Sequence, residues 1–161
     1  MTKLSAGILL YRLSEPEIEV LLVHPGGPYW RGKDLGAWSI PKGEYAPGDD
    51  ALAAAKREFE EETGFPLLAG ELQPLAETRL PTGKVITAWA LEGTCDADAI
   101  HSNLFSMEWP PRSGRMREFP EVDRAAWFPL SIARTKLHPA QARFLDRLAE
   151  VVSSLGAQAE E

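Results

Sequence analysis

Residues 43–65 read GEYAPGDDALAAAKREFEEETGF, and glutamates crowd the end of what is otherwise good helix sequence. Ala51 to Lys56 is rich in strong helix formers, and Gly64 is the residue type that ends helices. A helix is expected over Asp49–Thr63, with Glu58, Glu60, Glu61 and Glu62 in its last two turns. The helix macrodipole is negative there, so each carboxylate is mildly unfavourable. Glu58 and Glu62 also form a like-charge i,i+4 pair, at a cost of ~0.2–0.5 kcal/mol. Local stability argues against this arrangement, so something else must offset it.

Projected at about 100° per residue from Glu58, Glu62 falls at about 40° and Glu61 at about 300°, on one stripe. Leu52, Ala55 and Phe59 form an apolar face beside that stripe. Lys56 and Glu60 point toward solvent, and Ala51 and Ala54 leave room above the acids. Converging carboxylates of this kind suit a hard divalent cation such as Mg²⁺. A solvated acidic face is the alternative that the residues alone leave open.

The rest of the chain bounds what such a helix serves. With 161 residues, 44% hydrophobic and 25% charged, it is long enough for one domain with a sizeable core. A net charge of −7 speaks against general nucleic-acid binding or membrane-surface binding. It leaves room for a small anionic ligand met through cations or a local basic patch. The lone cysteine, Cys95, excludes an internal disulfide and reads as a small half-buried residue. A reducing compartment, hence a cytoplasmic location, is expected. MTKLSAGILLYRL reads as a strand rather than a signal peptide, and no apolar run approaches the roughly 20 residues of a membrane span.

Lys3–Arg12 and Ile18–His24 are β-rich runs joined by SEPE as a hairpin turn, and Pro25–Ala37 is a glycine-rich loop. Trp38–Ile40 is a short apolar piece, with Trp38 expected in the core. Leu72–Leu80 and Lys84–Leu91 read as paired strands turned by PTGK. Asp96–Arg117 reads as irregular, and Ala125–Pro129 as a short strand. Pro139–Leu155 has the apolar spacing of a surface helix with one buried face, and residues 156–161 are expected to fray. His24 reads as a polar strand-end residue, and His138 as a helper at the start of the last helix.

The spacing Gly43, five residues, Asp49, seven residues, Arg57-Glu58-Phe59-Glu60-Glu61-Glu62-Thr63-Gly64-Phe65 resembles the box of the Nudix hydrolases. Asp49 stands where that family usually has Glu. SAGILLY, VLLVH and WSIPKGE add to the resemblance, which spans about Lys3 to about Leu148. It implies an α/β/α sandwich with a mixed central sheet, and a single Nudix hydrolase domain over residues 1–161. It further implies hydrolysis of a phosphoanhydride in a nucleoside-diphosphate-linked substrate, with Mg²⁺ or Mn²⁺ as cofactor. The family's metal ligands correspond to Glu58, Glu61 and Glu62, with the carbonyl of Lys42 as a further ligand. Arg57 corresponds to a residue that holds a glutamate; by spacing it reaches Glu61 or flanks Glu58, as an ordinary surface ion pair also would. Asp49 either caps the helix or reaches the metals through water.

A later-loop glutamate serves many members of the family, and REFPEVDRAAWF offers Glu118, Glu121 and Asp123. Glu121 fits the spacing best, as metal ligand or general base. In PGGPYWRGKDLGAW, Tyr29 and Trp30 can stack on a base, while Arg31 and Lys33 can meet phosphate. PPRSGRMR adds Arg112, Arg115 and Arg117, a local basic cluster on an acidic chain. The PKG of WSIPKGE resembles the dinucleoside polyphosphate hydrolases, so a small-molecule polyphosphate or nucleotide is the expected partner. Diphosphoinositol phosphates and capped RNA ends are alternatives, as is a Nudix-fold binding module without catalysis.

Overall fold

The computed structural model describes residues 3–67 and 70–159. Its centre is β1 (Leu4–Arg12), a strand buried along almost its whole length. On one side β1 runs parallel to β5 (Val85–Glu92), which pairs antiparallel with β4 (Gln73–Arg79). On the other side it meets two partners in turn. Near its end, Tyr11 and Arg12 pair with Val20 and Glu19 of β2 (Glu19–Pro25). At its start, Leu4 to Gly7 pair with β3 (Lys42–Tyr45). The hairpin strands β1 and β2 therefore splay apart, and residues 39–45 fill the fork. Ser39 exchanges backbone hydrogen bonds with Val23, and the Pro41 carbonyl accepts from the Ile8 N–H. β2 continues the sheet to β8 (Val122–Pro129).

The two-residue side-chain period of β1 sorts the core into two halves. Ala6, Ile8 and Leu10, with Leu21, Val23 and Leu91, pack against Ala54, Ala55 and Phe59 of α1 (Ala51–Thr63). Leu9 and Tyr11, with Val20, Leu22 and Ile86, pack against Phe144, Leu145 and Leu148 of the C-terminal helix, which lies on the opposite face of the sheet. The mixed sheet between two helical layers is the architecture that the sequence led us to expect. Trp38 lies in the second core half, and no helix among the described residues is long and apolar enough to cross a membrane.

Several elements differ from expectation. Most of a hairpin falls in the stretch read as irregular: β6 (Leu104–Glu108) with β7 (Met116–Pro120), which pair with each other and, among the described residues, with no other strand. Neither strand buries a continuous apolar face, which is why no strand signal shows. β3 escapes notice because it is four residues long and, among the described residues, pairs with β1 alone. A short helix, α2 (Leu130–Lys136), precedes a 3-10 turn at Pro139–Gln141, where the His138 ring accepts from the Ala140 N–H. The last helix, α3, covers Ala142–Ala159; residues 160–161 lie outside the described residues.

The start of α1 is also corrected. Asp50, not Asp49, is the N-cap: its carboxylate accepts from the Ala53 N–H at 3.2 Å. The Asp49 N–H instead closes the preceding turn on the Ala46 carbonyl. Asp50→Ala should therefore cost about 1 kcal/mol in urea unfolding, and Asp49→Ala less than about 0.5 kcal/mol. Equal losses would contradict this capping geometry.

Candidate functional site

The fork in the sheet brings β3 and the acidic edge of α1 together. The Glu58 carboxyl group lies so close to Gly43 that a Cβ there would fall inside it. Only glycine leaves room for the carboxylate against the β3 backbone. On the other edge of the stripe, Glu62 accepts from the Lys42 N–H at 3.0 Å. Arg57 lies against both neighbours on its side: Nη2 is 3.4 Å from Glu58 and Nε is 3.9 Å from Glu61. Its guanidinium is half exposed, while the Glu58 side chain retains only 14% exposure. Glu60 turns away, and its carboxylate accepts from the Leu67 N–H.

The last carbonyls of α1 are satisfied by backbone rather than by a basic last turn. Gly64 donates to the Glu60 carbonyl, and His101 donates to that of Thr63. Asn103 does more. Its N–H donates to the Glu61 carbonyl at 3.2 Å, and its carbonyl accepts from the Glu121 N–H at 2.8 Å. One residue thus fastens Glu121, in the link between β7 and β8, to the acidic turn of α1. Nothing in the sequence marks Asn103, because both contacts are made by its main chain. Glu118 sits in β7 opposite Ser106, alternating with the buried Phe119, and so projects away from that residue's packed face.

These placements leave the carboxyls of Glu58, Glu62 and Glu121 protonated more readily than free acids. Burial, then the charge of Glu61, push Glu58 above its ordinary value, with Arg57 opposing. Burial, then Glu61, push Glu121 up as well. Glu62 is pushed up to about 8, first by burial and further by Glu58 and Glu121, against the Lys42 N–H and ammonium. Burial, then Lys84, push the Lys42 ammonium down, while Glu62, Glu44 and Glu58 favour its charge. Among the described residues no three acidic, histidine or cysteine side chains are already gathered into a cage for an ion. Arg57 draws on Glu58 and Glu61 while Glu62 is bonded to the β3 backbone. The donor set nonetheless fits a hard divalent cation: oxygen ligands, partly desolvated, mutually repelling and short of positive charge.

The aromatic and basic candidates lie on two segments that meet. Tyr29, in the loop after β2, contacts Trp109 at the tip of the β6–β7 hairpin edge-on, with 5.4 Å between ring centroids. Gly27 of the same loop faces Phe105 of β6. Trp30 lies under the Lys33 ammonium and lines a cavity of about 200 Å³ with Trp38, Lys42, Ile86, His138 and Gln141, among others. Arg31 is exposed. Arg112, at positive φ, and Arg115 lie in the exposed turn of the hairpin, and Arg117 lies over the Phe119 ring. His24 is not the polar strand-end residue that was expected: it is fully buried, with both ring nitrogens bonded.

A sequence profile described as NUDIX domain matches residues 1–148. Among solved structures, the chain resembles an Ap4A hydrolase from C. elegans at 19% identity and a TM-score of 0.66, over 93% of this chain and 98% of that one. It resembles the NUDIX domain of Shewanella oneidensis NrtR, solved with ADP ribose, at 15% identity and a TM-score of 0.64, over 94% and 89%. A Nudix hydrolase from M. smegmatis, RenU, follows at 22% identity and 0.61, over 93% and 85%. At these identities the structural likeness speaks for the fold.

The Glu62 proton gives a test in the metal-free protein. The unfolded chain releases it near its ordinary value of 4.5, the folded chain at about 8. Between those values the native state binds more protons than the unfolded one, so stability falls as pH rises. Thermal unfolding in chelator should therefore show a declining melting temperature from about pH 5 to about pH 8. Glu62→Gln should flatten that decline, whereas parallel profiles for the two proteins would contradict the burial of an ionisable Glu62.

Proposed function

Because this chain belongs to the Nudix family and is a pyrophosphohydrolase of that family, we propose that it hydrolyses a phosphoanhydride in a nucleoside-diphosphate-linked substrate at the acidic edge of α1. The observation that carries the reading is the cluster of Glu58, Glu61, Glu62 and Glu121 around the acidic turn of α1, in which burial and neighbouring carboxylates raise the proton affinity of Glu58, Glu62 and Glu121, with Arg57 as a cationic neighbour of Glu58 and Glu61. Nudix hydrolases generally use divalent metals, and here Glu58, Glu61 and Glu62, with the Lys42 carbonyl, would hold Mg²⁺ or Mn²⁺. Such a cation, when bound, neutralises phosphate oxygens and lowers the pKa of an attacking water. Arg57 orients Glu58 and Glu61 from the side. In this reading Glu121 accepts the proton of the attacking water or serves as a further ligand; its backbone tie to α1 through Asn103 supports that role.

A dinucleoside polyphosphate is the substrate we favour. WSIPKGE supports it, and the fold shared with an Ap4A hydrolase agrees with it. In this reading Tyr29 and Trp30 contact a base, with Arg31 and Lys33 beside them on the same loop. Arg112, Arg115 and Arg117 hold distal phosphates, and the Tyr29–Trp109 contact keeps the two segments adjacent. A cytoplasmic location suits such a substrate and the single free thiol, Cys95.

Release of nucleotide from a panel of dinucleoside polyphosphates, nucleoside triphosphates and ADP-ribose, with and without Mg²⁺, tests the reading. Glu62→Gln should lower kcat at least about a hundredfold, ~2.7 kcal/mol of barrier, while the fold survives. Wild-type turnover by that variant would remove Glu62 from the ligand set. Arg115→Ala should lower kcat/KM about tenfold to a hundredfold on a tetraphosphate-bridged substrate and less on ADP-ribose. Equal losses on both, or none, would leave the hairpin arginines as surface charge.

A further inference from the structure

His24, the residue before the last of β2, has a fully buried ring. Its Nδ1 lies 2.9 Å from Oδ1 of Asp123, and its Nε2 lies 2.6 Å from the carbonyl oxygen of Lys33. One contact reaches the strand β8 and the other the loop that follows β2. The edge of the ring packs on Trp38, whose indole N–H donates to Asp34, one residue past Lys33. Arg124 stands beside Asp123 at 4.0 Å and over the face of Trp38.

These contacts tie two segments together at two points. Gly26, at the start of the aromatic loop, donates to the Glu121 carbonyl at 2.9 Å. A Cβ at Gly26 would fall on the Pro120 carbonyl, so the backbones touch there. Seven residues on, the Lys33 carbonyl is held through His24 to Asp123. Tyr29 and Trp30 lie between the two ties, and Glu121 lies two residues from Asp123. The register of β2 against β8 shifts between His24 and Pro25, which turns the strand ends where the ties are made.

We propose that His24 and Asp123 form a buried clamp that positions Glu121 against the loop carrying Tyr29 and Trp30, so that the substrate loop and the carboxylate move as one body. This rests on the role of Glu121 given above. His24 and Asp123 are positioning residues, acting through Glu121 and through the loop rather than on substrate.

Asp123 is partly exposed, so Asp123→Ala opens no cavity and is the variant of choice. Without activity, the exchange rate of the Gly26 amide reports the tie to Glu121. It should rise about tenfold in Asp123→Ala and return toward wild type in Asp123→Asn, whose amide oxygen still accepts. With diadenosine tetraphosphate and Mg²⁺, Asp123→Ala should lower kcat about tenfold with a melting temperature near wild type. In a Glu121→Gln background the same substitution should cost little more, since the two act as a unit. Unchanged Gly26 exchange, or a full additive loss in the double variant, would overturn the clamp. If Glu121→Gln alone turned over at the wild-type rate, the role of Glu121 would fall first and the clamp's catalytic role with it. If wild type hydrolysed no member of the panel, the function would fail while amide exchange still decided the clamp.

Discussion

The carboxylate of Glu58 rests against the backbone of Gly43, and the rest of the site is arranged around that approach. A helix edge can come this close to a strand only where the strand offers no side chain. It stays there because Ala54, Ala55 and Phe59 on the neighbouring face of α1 are buried against β1 and β2. Burial of a phenylalanine is worth ~1.5–3 kcal/mol, several times the repulsion of one like-charge pair on a helix. Packing therefore holds carboxylates where local electrostatics disfavour them. The pKa directions of Glu58, Glu62 and Glu121 record that imbalance as a stronger hold on protons.

The sheet supplies the second half of the geometry. β1 and β2 leave their turn as a hairpin and then part, so residues 39–45 enter between them rather than lying on the surface. That places the Lys42 N–H under Glu62 and Gly43 under Glu58. Asn103 then carries Glu121 to the same turn of α1, through main-chain bonds alone. Residues far apart in the chain thus meet at the edge of one helix. The loop of Tyr29 and Trp30 and the arginine hairpin stand in contact with each other through Trp109.

Much of this was legible in the sequence where a fixed period governs placement. The stripe of Glu58, Glu61 and Glu62, the outward Glu60 and the buried face of α1 follow from helix geometry, which left Arg57 either reaching Glu61 or flanking Glu58; the structure has it near both. The sequence marked β1 as a β-rich run, and the structure shows how its alternate residues divide between the two core halves. What the sequence hid was set by main-chain contacts or by entry of the chain. Asp49 and Asp50 are the same residue type, and the turn closing on Ala46 decided which one caps α1. Asn103 acts through its backbone, which no side-chain pattern reports. His24 looks polar and peripheral in VLLVHPGG, yet it is buried because Asp123 and Lys33, distant in sequence, satisfy both its nitrogens. Among the described residues the β6–β7 hairpin pairs with no other strand and buries little, so it lacks the apolar alternation that betrays a strand.

The central claim is that α1 carries mutually repelling carboxylates that Arg57 and Lys42 offset only in part, and whose repulsion a divalent cation relieves. Thermal unfolding at pH 8 of wild type and of the triple variant Glu58→Gln, Glu61→Gln, Glu62→Gln, each with and without Mn²⁺, addresses it directly. Binding to the folded state alone must raise the melting temperature. The account predicts that the triple variant melts above wild type without metal, and that Mn²⁺ raises wild type but not the variant. A triple variant that melts below metal-free wild type, or a wild type indifferent to Mn²⁺, would contradict it.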